Sequence, residues 1–559
     1  MNKPFAALAL AAVLIPASIS QAASRAAPAR IEASRLSAHV KEISSDAYEG
    51  RGPATRAEIK TIDYAVAQMK AEGLKPGGDP DKAAPGGRRW TQDVPLARFE
   101  VTGPIALSLT AGGQTRTLTQ SQEVVVQTLV PTSHVSIKDA PLVFVGYGVK
   151  APERHWDDFK GVDLHGKIAV VLINDPDFEA DLGGRFDGKS MTYYGRWTYK
   201  YEEAARQGAV GMLIVHETGP AAYGWNTVKN SNANAQFDIV RDDPSKAHPL
   251  LQGWIQRDLA VDLFAKSGLD FEAQKKAAQR EDFQPVELKG ATFSADYAVD
   301  SSRIVSHNIV GILPGTRAPD ETVIYTAHWD HLGVGQPDAR GDTIYNGAVD
   351  NGTGVAAVLE LGRVYAAAPR TRRSVVFLLV TAEEKGLLGS AYYATHPLYP
   401  AAKTVADLNM DALPTDGAAH DFSVSGDGKV TLLDDLIAGG KAQGRVFVPD
   451  PTPEAGHFFR SDHFSFAKVG IPAISFHSGE DLVNGGTAAG KAWAAEYTAH
   501  RYHQPADEWS ADWDLSGQVL DVTLLYNVGR DLANSRRWPD WKPGSEFKAL
   551  RDATAAQRK

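Results

Sequence analysis

The sequence predicts an α/β protein in which a mostly parallel central sheet is flanked by helices. After residue 305, apolar runs alternate with amphipathic segments, a pattern typical of a parallel sheet that helices cover on both faces. The runs are mostly apolar, as strands buried on both faces are. We expect strands at NIVGIL, TVIYTA, SVVFLLVTA, TVADLNM and IPAISF, and helices at GTGVAAVLELGRVYAAA and LSGQVLDVTLLYNVGRDLANS.

Two further helices are predicted near the beginning of the chain. In both, apolar residues recur every three or four positions, which places them on one face of the helix. We expect these faces to be buried in the core: Leu36, Val40 and Ile43 in the first helix, and Ile59, Ile62, Val66 and Met69 in the second.

The composition bounds the class of protein. A length of 559 residues suggests more than one domain. The 58 Lys and Arg against 68 Asp and Glu give a net charge of -10, which argues against nucleic acid or an anionic membrane as the main partner. The chain has no Cys, so thiolate metal sites and cysteine nucleophiles are excluded.

The first 22 residues have the features of a secretory signal peptide. Lys3 precedes an apolar stretch that ends near Ile15, and Ala22 occupies a cleavage-site position. The stretch is shorter than the roughly 18–20 residues that a membrane-spanning helix needs, and Pro16 interrupts it. We therefore expect export, cleavage near Ala22, no stable membrane insertion afterwards and a periplasmic or secreted bacterial location.

Five side chains of metal-ligand type follow apolar runs or turns in the α/β segment. Residues at the carboxyl ends of parallel strands share one crevice, and two imidazoles with three carboxylates suit a pair of zinc ions. Manganese or cobalt would also accept these ligands. The five residues are His328 in AHWDH, Asp350 in GAVDNGTG, Glu384 in TAEEKGLLGS, Asp411 in LNMDAL and His503 in RYHQPADEW.

Glu383 stands directly before one of these ligands. Two consecutive acids after the apolar SVVFLLVTA are costly to bury without a metal or a charge partner. Adjacent residues can point in different directions, so Glu384 can bind metal while Glu383 acts as a general base. The alternative is an exposed acidic pair that begins a helix.

Two aspartates are candidates for orienting the histidines. Asp330 lies two residues after His328, and Asp507 lies four residues after His503. A carboxylate that accepts a hydrogen bond from a metal-bound imidazole fixes the tautomer of the ring. Taken alone, each pair could equally be an ordinary surface contact.

The order of motifs HxD, GAxDNxxG, EExGLxGS, NxD and a late YHxxxD resembles the co-catalytic zinc aminopeptidases of peptidase clan MH. This group includes bacterial leucyl aminopeptidases and, more distantly, glutamate carboxypeptidase II. The resemblance implies two zinc ions per chain with Asp350 as the bridging carboxylate. One site would be completed by His328 and Asp411, and the other by Glu384 and His503.

The same resemblance assigns further roles. Glu383 matches the general base that activates a hydroxide held between the metals, and Tyr502 matches a tyrosine that donates to the oxyanion in the carboxypeptidase branch. Asp462, in RSDHFSF, resembles an active-site acid of related zinc enzymes. A cis peptide bond is implied after Asp350.

The resemblance also divides the chain. Residues 116–295, called the insert below, resemble a β-rich protease-associated domain that would form a lid or a substrate-shaping surface. Residues 25–115 and 296–545, called the main unit, would form the zinc peptidase domain. Residues 1–22 would be the signal peptide and residues 546–559 a C-terminal tail.

The expected reaction is removal of N-terminal amino acids from peptides, which are the expected partners; the oligomeric state is open. Carboxypeptidase or dipeptidase action of the same fold is an alternative, because Arg460 or Arg501 could clamp a carboxylate. Glu480 and Asp481 could instead bind an α-ammonium group. The fold is also compatible with a glutaminyl-cyclase-like transferase that uses one zinc ion, and with a non-enzymatic receptor.

Overall fold

The computed structural model describes residues 1, 29–180, 182–426 and 428–558. The predicted signal peptide therefore lies outside the described residues, apart from Met1. Among the helices described, none is both long and apolar enough to cross a membrane.

The main unit begins with two helices that pack against its sheet. The first buries Leu36, Val40 and Ile43, as predicted. The second buries Val66 and Met69 as predicted, and Ile62 packs partly buried against the same core. It is rotated so that Ala57 and Ala65 also lie inward, while Ile59 is 63% exposed. The opening elements are α1 Ala33–Ile43, α2 Arg56–Ala71, β1 Lys75–Pro76 and β2 Thr91–Ala111.

The insert has its own group of strands and its own apolar core. Strands β5, β8, β9 and β11 are parallel to one another, and β4 pairs antiparallel with β11. The core contains Phe144, Val170, Leu213 and Leu263.

The strands that follow β2 in the chain, as far as the last strand before β12, are β3 Gln114–Leu118, β4 Val124–Gln127, β5 His134–Phe144, β6 Lys150–Ala151, β7 Trp156–Asp157, β8 Ile168–Leu172, β9 Gly211–His216, β10 Gln236–Ile239 and β11 Leu251–Gln256. The helices are α3 Trp197–Arg206, α4 Thr218–Ala221, α5 Trp225–Ser231, α6 Arg257–Lys266 and α7 Phe271–Ala278.

A long strand, β12 Val286–Leu313, leads back into the main unit. The predicted strands are confirmed: they lie in β12, β13 Ala318–His328, β16 Arg373–Val380, β17 Thr404–Met410 and β20 Ala473–Ser478. The other strands are β14 Gly333–Val334, β15 Ile344–Tyr345, β18 Asp421–Val424 and β19 Val446–Phe447. The helices are α8 Gly354–Ala367, α9 Leu388–Thr395, α10 Leu432–Ala442, α11 His463–Ala467, α12 Gly486–His500, α13 Ser516–Asn534 and α14 Lys548–Ala553.

The sheet of the main unit has the strand order β19, β18, β20, β17, β13, β16, β12. The four strands β20, β17, β13 and β16 are parallel. One face packs against Val358 of α8 and Leu525 of α13, and the other packs against Tyr393 of α9 and Phe466 of α11. The predicted α/β fold with a mostly parallel sheet covered on both faces is confirmed.

Strands β2 and β12 join the two units into one continuous sheet. They pair antiparallel from Thr91 opposite Ile309 to Thr110 opposite Thr292. Strand β12 also pairs with β16 in the main unit and with β5 in the insert. A small apolar cluster that includes Phe237, Ala382 and Leu388 closes the junction, so the insert packs beside the loop that follows β16.

Candidate metal centre

The predicted ligands meet at one edge of the main sheet. His328 is the last residue of β13, Glu384 follows β16 after a short turn, and Asp411 directly follows β17. These strands are parallel, so their carboxyl ends lie side by side. Asp350 reaches the same place from the turn before α8, and His503 from the loop after α12.

Asp350 lies between the two predicted histidines. Its Oδ1 is 3.2 Å from Nε2 of His328, and its Oδ2 is 3.4 Å from Nε2 of His503. Nε2 of His328 is also 3.2 Å from Oδ1 of Asp411, and Nε2 of His503 is 2.9 Å from Oε2 of Glu384. The five predicted ligands therefore form one buried cluster with Asp350 at its centre. The peptide bond between Asp350 and Asn351 is cis.

Comparison with known proteins shows which family the part of the chain around this cluster resembles. Residues 308–526, which contain all five predicted ligands, match the model of peptidase family M28. This part of the chain is therefore similar to peptidase family M28.

Individual proteins resemble parts of the chain. A probable zinc metalloprotease from Pyrenophora tritici-repentis is 33% identical over 119 residues, which are 21% of this chain and 27% of that protein. The aminopeptidase YwaD from Bacillus subtilis is 35% identical over 112 residues, 20% of this chain and 22% of that protein. The matches thus span about a quarter of the length of these curated relatives.

A solved structure resembles nearly the whole chain. An aminopeptidase from Aneurinibacillus sp. strain AM-1 aligns with a TM-score of 0.53 and 20% sequence identity, and the alignment covers 92% of this chain and 95% of that chain. At this identity the similarity shows a shared fold.

A sharp turn precedes the two acids of the TAEEKG motif. Ala382 adopts a left-handed conformation with φ of 53°, which changes the direction of the chain directly after β16. Glu384 then contacts His503, while Oε2 of Glu383 lies 3.9 Å from Nε2 of His328. The two neighbouring carboxylates thus face different histidines, as a ligand and a base would.

His331 is a candidate ligand that the sequence reasoning missed. It is the second histidine of AHWDH, it is fully buried, and its Nδ1 lies 2.6 Å from Oε1 of Glu384. The contact is close, although its angles are not those of a hydrogen bond, and both ring nitrogens lack a hydrogen-bond partner among the described residues. Ligand atoms of His331, Asp350 and Glu384 lie within 4.8 Å of one another. The spacing of three residues after His328 was the available signal.

The group that orients His328 belongs to the predicted residue, Asp330, but it is the main-chain carbonyl and not the side chain. Its Nδ1–H donates to the main-chain carbonyl of Asp330 at 3.1 Å, while the Asp330 carboxylate is 3.8 Å away. That carboxylate instead accepts the backbone N–H of Glu383 at 3.1 Å. The main chain of Asp330 therefore orients the imidazole, and its side chain holds the turn that carries Glu383.

Asp507 does not contact the ring of His503, which corrects the predicted pairing. Its carboxylate accepts the backbone N–H groups of Val349 and Asp350, each at 3.0 Å. The hydroxyl of Tyr497 also donates to Asp507, at 3.3 Å. Asp507 is thus satisfied by the turn that carries Asp350, and it fixes that turn rather than the histidine.

The partner of His503 comes from the insert. Oγ of Ser231, at the end of α5, lies 2.8 Å from Nδ1 of His503. The side-chain amide of Asn230 donates to the carbonyl of His503 at 2.9 Å, and Nζ of Lys385 donates to the carbonyl of Ser231 at 3.1 Å. Residues 230 and 231 therefore contact both His503 and the loop that carries Glu384.

Arg51 is a second residue whose role sequence reasoning missed. Its guanidinium is fully buried and donates to the carbonyls of Ile43, Trp329, Asn346 and Gly347 at 2.6–3.0 Å. The last three carbonyls belong to the loops around His328 and Asp350. Arg51 therefore connects α1 to both ligand loops, and its place in SDAYEGRGP was the only signal.

Tyr502 and Asp462 border the cluster, and Tyr502 packs against the ring of one of its ligands. The ring of Tyr502 lies 3.9 Å from that of His503, centroid to centroid. Burial and the nearby Asp350 and Glu384 raise the pKa of Tyr502 well above its usual range, so its hydroxyl stays protonated. Asp462 is fully buried, and burial raises its pKa to about 7.

The electrostatics of the cluster fit a bound cation. Burial opposes protonation of His328, but the carboxylates of Glu383 and Asp411 raise its pKa well above the usual value. Although burial acts in the opposite direction, His328 and His503 hold the pKa of Asp350 well below its usual range. The carboxylates thus favour positive charge at their centre, and the nitrogen and oxygen donors are those that zinc accepts.

Proposed function

We propose that this protein is an exported, zinc-dependent aminopeptidase that removes N-terminal amino acids from peptides. The observation that carries the proposal is the position of Asp350, with one oxygen facing His328 and the other facing His503. The match to peptidase family M28 and the resemblance to an aminopeptidase of Bacillus subtilis support the reaction class. Export rests on the predicted signal peptide.

Two groups of residues would hold the two zinc ions. His328, Asp350 and Asp411 would hold one, and Asp350, Glu384 and His503 the other, with the nearby His331 as a further nitrogen donor. When bound, zinc supplies Lewis acidity, which polarises the scissile carbonyl and acidifies water.

Glu383 would carry the proton transfers. Burial and the carboxylates of Asp411 and Glu384 raise its pKa well above the usual value, against the effect of His328. A raised pKa suits a carboxylate that first accepts a proton from the attacking water and then returns it to the leaving amine. The hydrogen bond from the backbone N–H of Glu383 to the carboxylate of Asp330 would keep the Glu383 side chain in place.

Tyr502 would assist at the carbonyl oxygen. Its protonated hydroxyl is a hydrogen-bond donor beside His503, and a donor placed where negative charge develops stabilises the transition state. Because the ring lies against His503, the position of Tyr502 depends on the same loop as the ligand.

A hydrolysis screen tests the proposal. Aminoacyl anilides, their N-acetylated counterparts and free dipeptides would be incubated with the protein, with and without a chelator. We expect cleavage of free-amine substrates only, loss of cleavage with the chelator, and recovery with zinc at two ions per chain. Cleavage of the free dipeptides but not of the aminoacyl anilides would indicate a carboxypeptidase or dipeptidase, and one zinc with cyclisation of N-terminal glutamine would indicate the transferase.

A further inference from the structure

Glu58 is a buried carboxylate of α2 that binds three other groups of the main unit. The residue is 3% exposed. One of its oxygens accepts hydrogen bonds from the backbone N–H of Ala54 and, at 3.1 Å, from the hydroxyl of Ser306. Its other oxygen lies 2.7 Å from Nδ1 of His307. A buried carboxylate is costly unless it is both paired and hydrogen-bonded, and Glu58 has both kinds of partner.

The hydroxyl of Ser306 connects Glu58 to the turn that carries Glu383. Oγ of Ser306 lies 2.6 Å from Oγ1 of Thr381. Because a carboxylate only accepts hydrogen bonds, Ser306 donates its proton to Glu58, and the hydroxyl of Thr381 must donate to Ser306. The three side chains therefore form a chain of hydrogen bonds that runs from the end of β16 to α2.

Thr381 lies where the backbone leaves β16. The next residue, Ala382, has the left-handed φ of 53°, which an alanine keeps only where its surroundings enforce it. Glu383 follows directly, so its side chain takes the direction that this turn gives it. Asn308 already accepts the backbone N–H of Thr381 at 3.0 Å, and the side-chain hydroxyl is therefore a second, separate restraint on the same residue.

His307 supplies the positive charge opposite Glu58, and solvent can reach it. Its side chain is 31% exposed, and its Nε2 lies 3.5 Å from Oδ1 of Asp93 in β2. The hydrogen bond with Glu58 raises the pKa of His307, and Asp93 acts in the same direction, against the effects of burial and of Arg89. These side chains are called the Glu58 network, which consists of Glu58, Ser306, His307 and Thr381.

We propose that the Glu58 network positions the base Glu383, so that its carboxylate faces the reacting atoms. The proposal rests on the proposed function, because Glu383 acts as a base only in that reaction. No member of the network needs to touch substrate or metal. A small displacement of a catalytic group slows the chemical step, so loss of the network should lower the rate while substrate and zinc still bind.

Thr381→Val tests the link between the network and the base, because valine keeps the shape of the side chain and loses only the hydroxyl. With leucine anilide as the substrate, kcat should fall about tenfold, while KM and the zinc content stay within about twofold. Thr381→Ser keeps the hydroxyl and should retain kcat within about twofold. Equal kcat in the two variants, or a loss of zinc in step with kcat, would refute the proposal.

The pH profile of kcat tests the ion pair between His307 and Glu58. The imidazolium is present below the raised pKa of His307 and is lost as the pH rises through it. The kcat of the unsubstituted protein should therefore fall about threefold or more on the alkaline side, and His307→Gln should have a lowered kcat without this step. His134→Gln is the control, because it removes an insert histidine that is 48% exposed and pairs with Asp296 at 3.1 Å. Absence of the step from the unsubstituted protein, or its persistence in His307→Gln, would contradict the role of His307.

Hydrogen exchange separates this proposal from the proposed function, because it requires no turnover. The amides of Leu388 and Gly389 donate to carbonyls of the turn at 3.1 and 2.9 Å. In the zinc-loaded protein, fragments that contain residues 381–389 should exchange about tenfold faster in Thr381→Val than in Thr381→Ser, while fragments from α13 stay unchanged. Equal exchange in both variants would refute the network. Absence of leucine anilide hydrolysis by the unsubstituted protein would refute the aminopeptidase and leave the exchange result to decide whether the network holds the turn.

Discussion

The main unit and the insert contribute to the same site in different ways. In the main unit, His328, Glu384 and Asp411 stand at or directly after strands of one parallel sheet, and each belongs to a recognisable motif. In the insert, Ser231 and Asn230 reach His503 from the end of a short helix without any such motif. The five predicted ligands therefore come from the main unit, while the position of one of them, His503, depends on the insert.

This difference predicts separable effects on chemistry and on metal binding. Residues of the main unit that face the reacting atoms should change the rate without changing the metal content. Residues of the insert that support a ligand should change metal affinity first, and the rate only through it.

The largest effect is expected for Glu383→Gln in the main unit. Glutamine keeps the shape of the side chain but cannot accept the proton of the attacking water, so kcat should fall on the order of 10³-fold. Zinc content, measured by elemental analysis, should stay at the value of the unsubstituted protein.

Glu32→Gln is the matched control for this variant. Glu32 belongs to the main unit, its side chain is 52% exposed, and it pairs only loosely with Arg363 at 3.4 Å. It should keep full activity. If Glu383→Gln kept the original kcat, the assignment of the base would be wrong.

Acid should destabilise the main unit through a buried histidine that is not one of the predicted ligands. Burial and the nearby Arg35 lower the pKa of His39 to about 4, and its Nδ1 lies 2.7 Å from the hydroxyl of Tyr64. In the unfolded chain His39 binds a proton near pH 6.5, whereas in the folded chain it binds one only near pH 4. The stability that burial of the neutral His39 contributes is therefore lost as the pH falls between these values.

The expected loss between pH 7 and 4.5 is about 2 kcal/mol in the free energy of unfolding. Urea unfolding at both pH values would show a smaller loss for His39→Gln than for the unsubstituted protein. His165→Gln, an insert histidine whose side chain is 81% exposed, should leave the loss unchanged. An equal pH dependence of all three proteins would contradict the role of His39.

The smallest effect is expected for Ser231→Ala in the insert. Loss of the hydroxyl removes the partner of Nδ1 of His503, and such partners contribute about tenfold to metal affinity. Zinc dissociation constants from chelator competition would measure the change. Ser245→Ala, at an exposed insert position, is the control, and unchanged zinc affinity in Ser231→Ala would show that the insert does not support the centre.

The strands of the main sheet and the five ligands could be predicted because both depend on local sequence. A fully buried strand is apolar along its length, and a carboxylate or imidazole directly after it has few structural reasons to be there. The partners of the ligands could not be predicted in this way. Ser231 lies 272 positions from His503, and no spacing in the sequence connects them.

The predictions that were wrong for residues within or next to the recognised motifs and helices failed for a different reason. Asp330 and Asp507 were placed near the site, but which atom each of them contacts depends on turns whose dihedral angles the sequence does not specify. Ile59 was expected to be buried because the periodicity of α2 fits more than one rotation of the helix. His331 was overlooked because its neighbour His328 already fitted the pattern.

The length of β12 has a consequence for how substrates enter. This strand runs from Val286 to Leu313 and is held by β2 over most of that length, so no flexible hinge separates the two units along it. Swinging the insert outward as a rigid body would require this paired ribbon to bend. Substrates of the proposed reaction would therefore enter, and products leave, through movements of the loops near the metal centre, while the main unit and the insert keep their spacing.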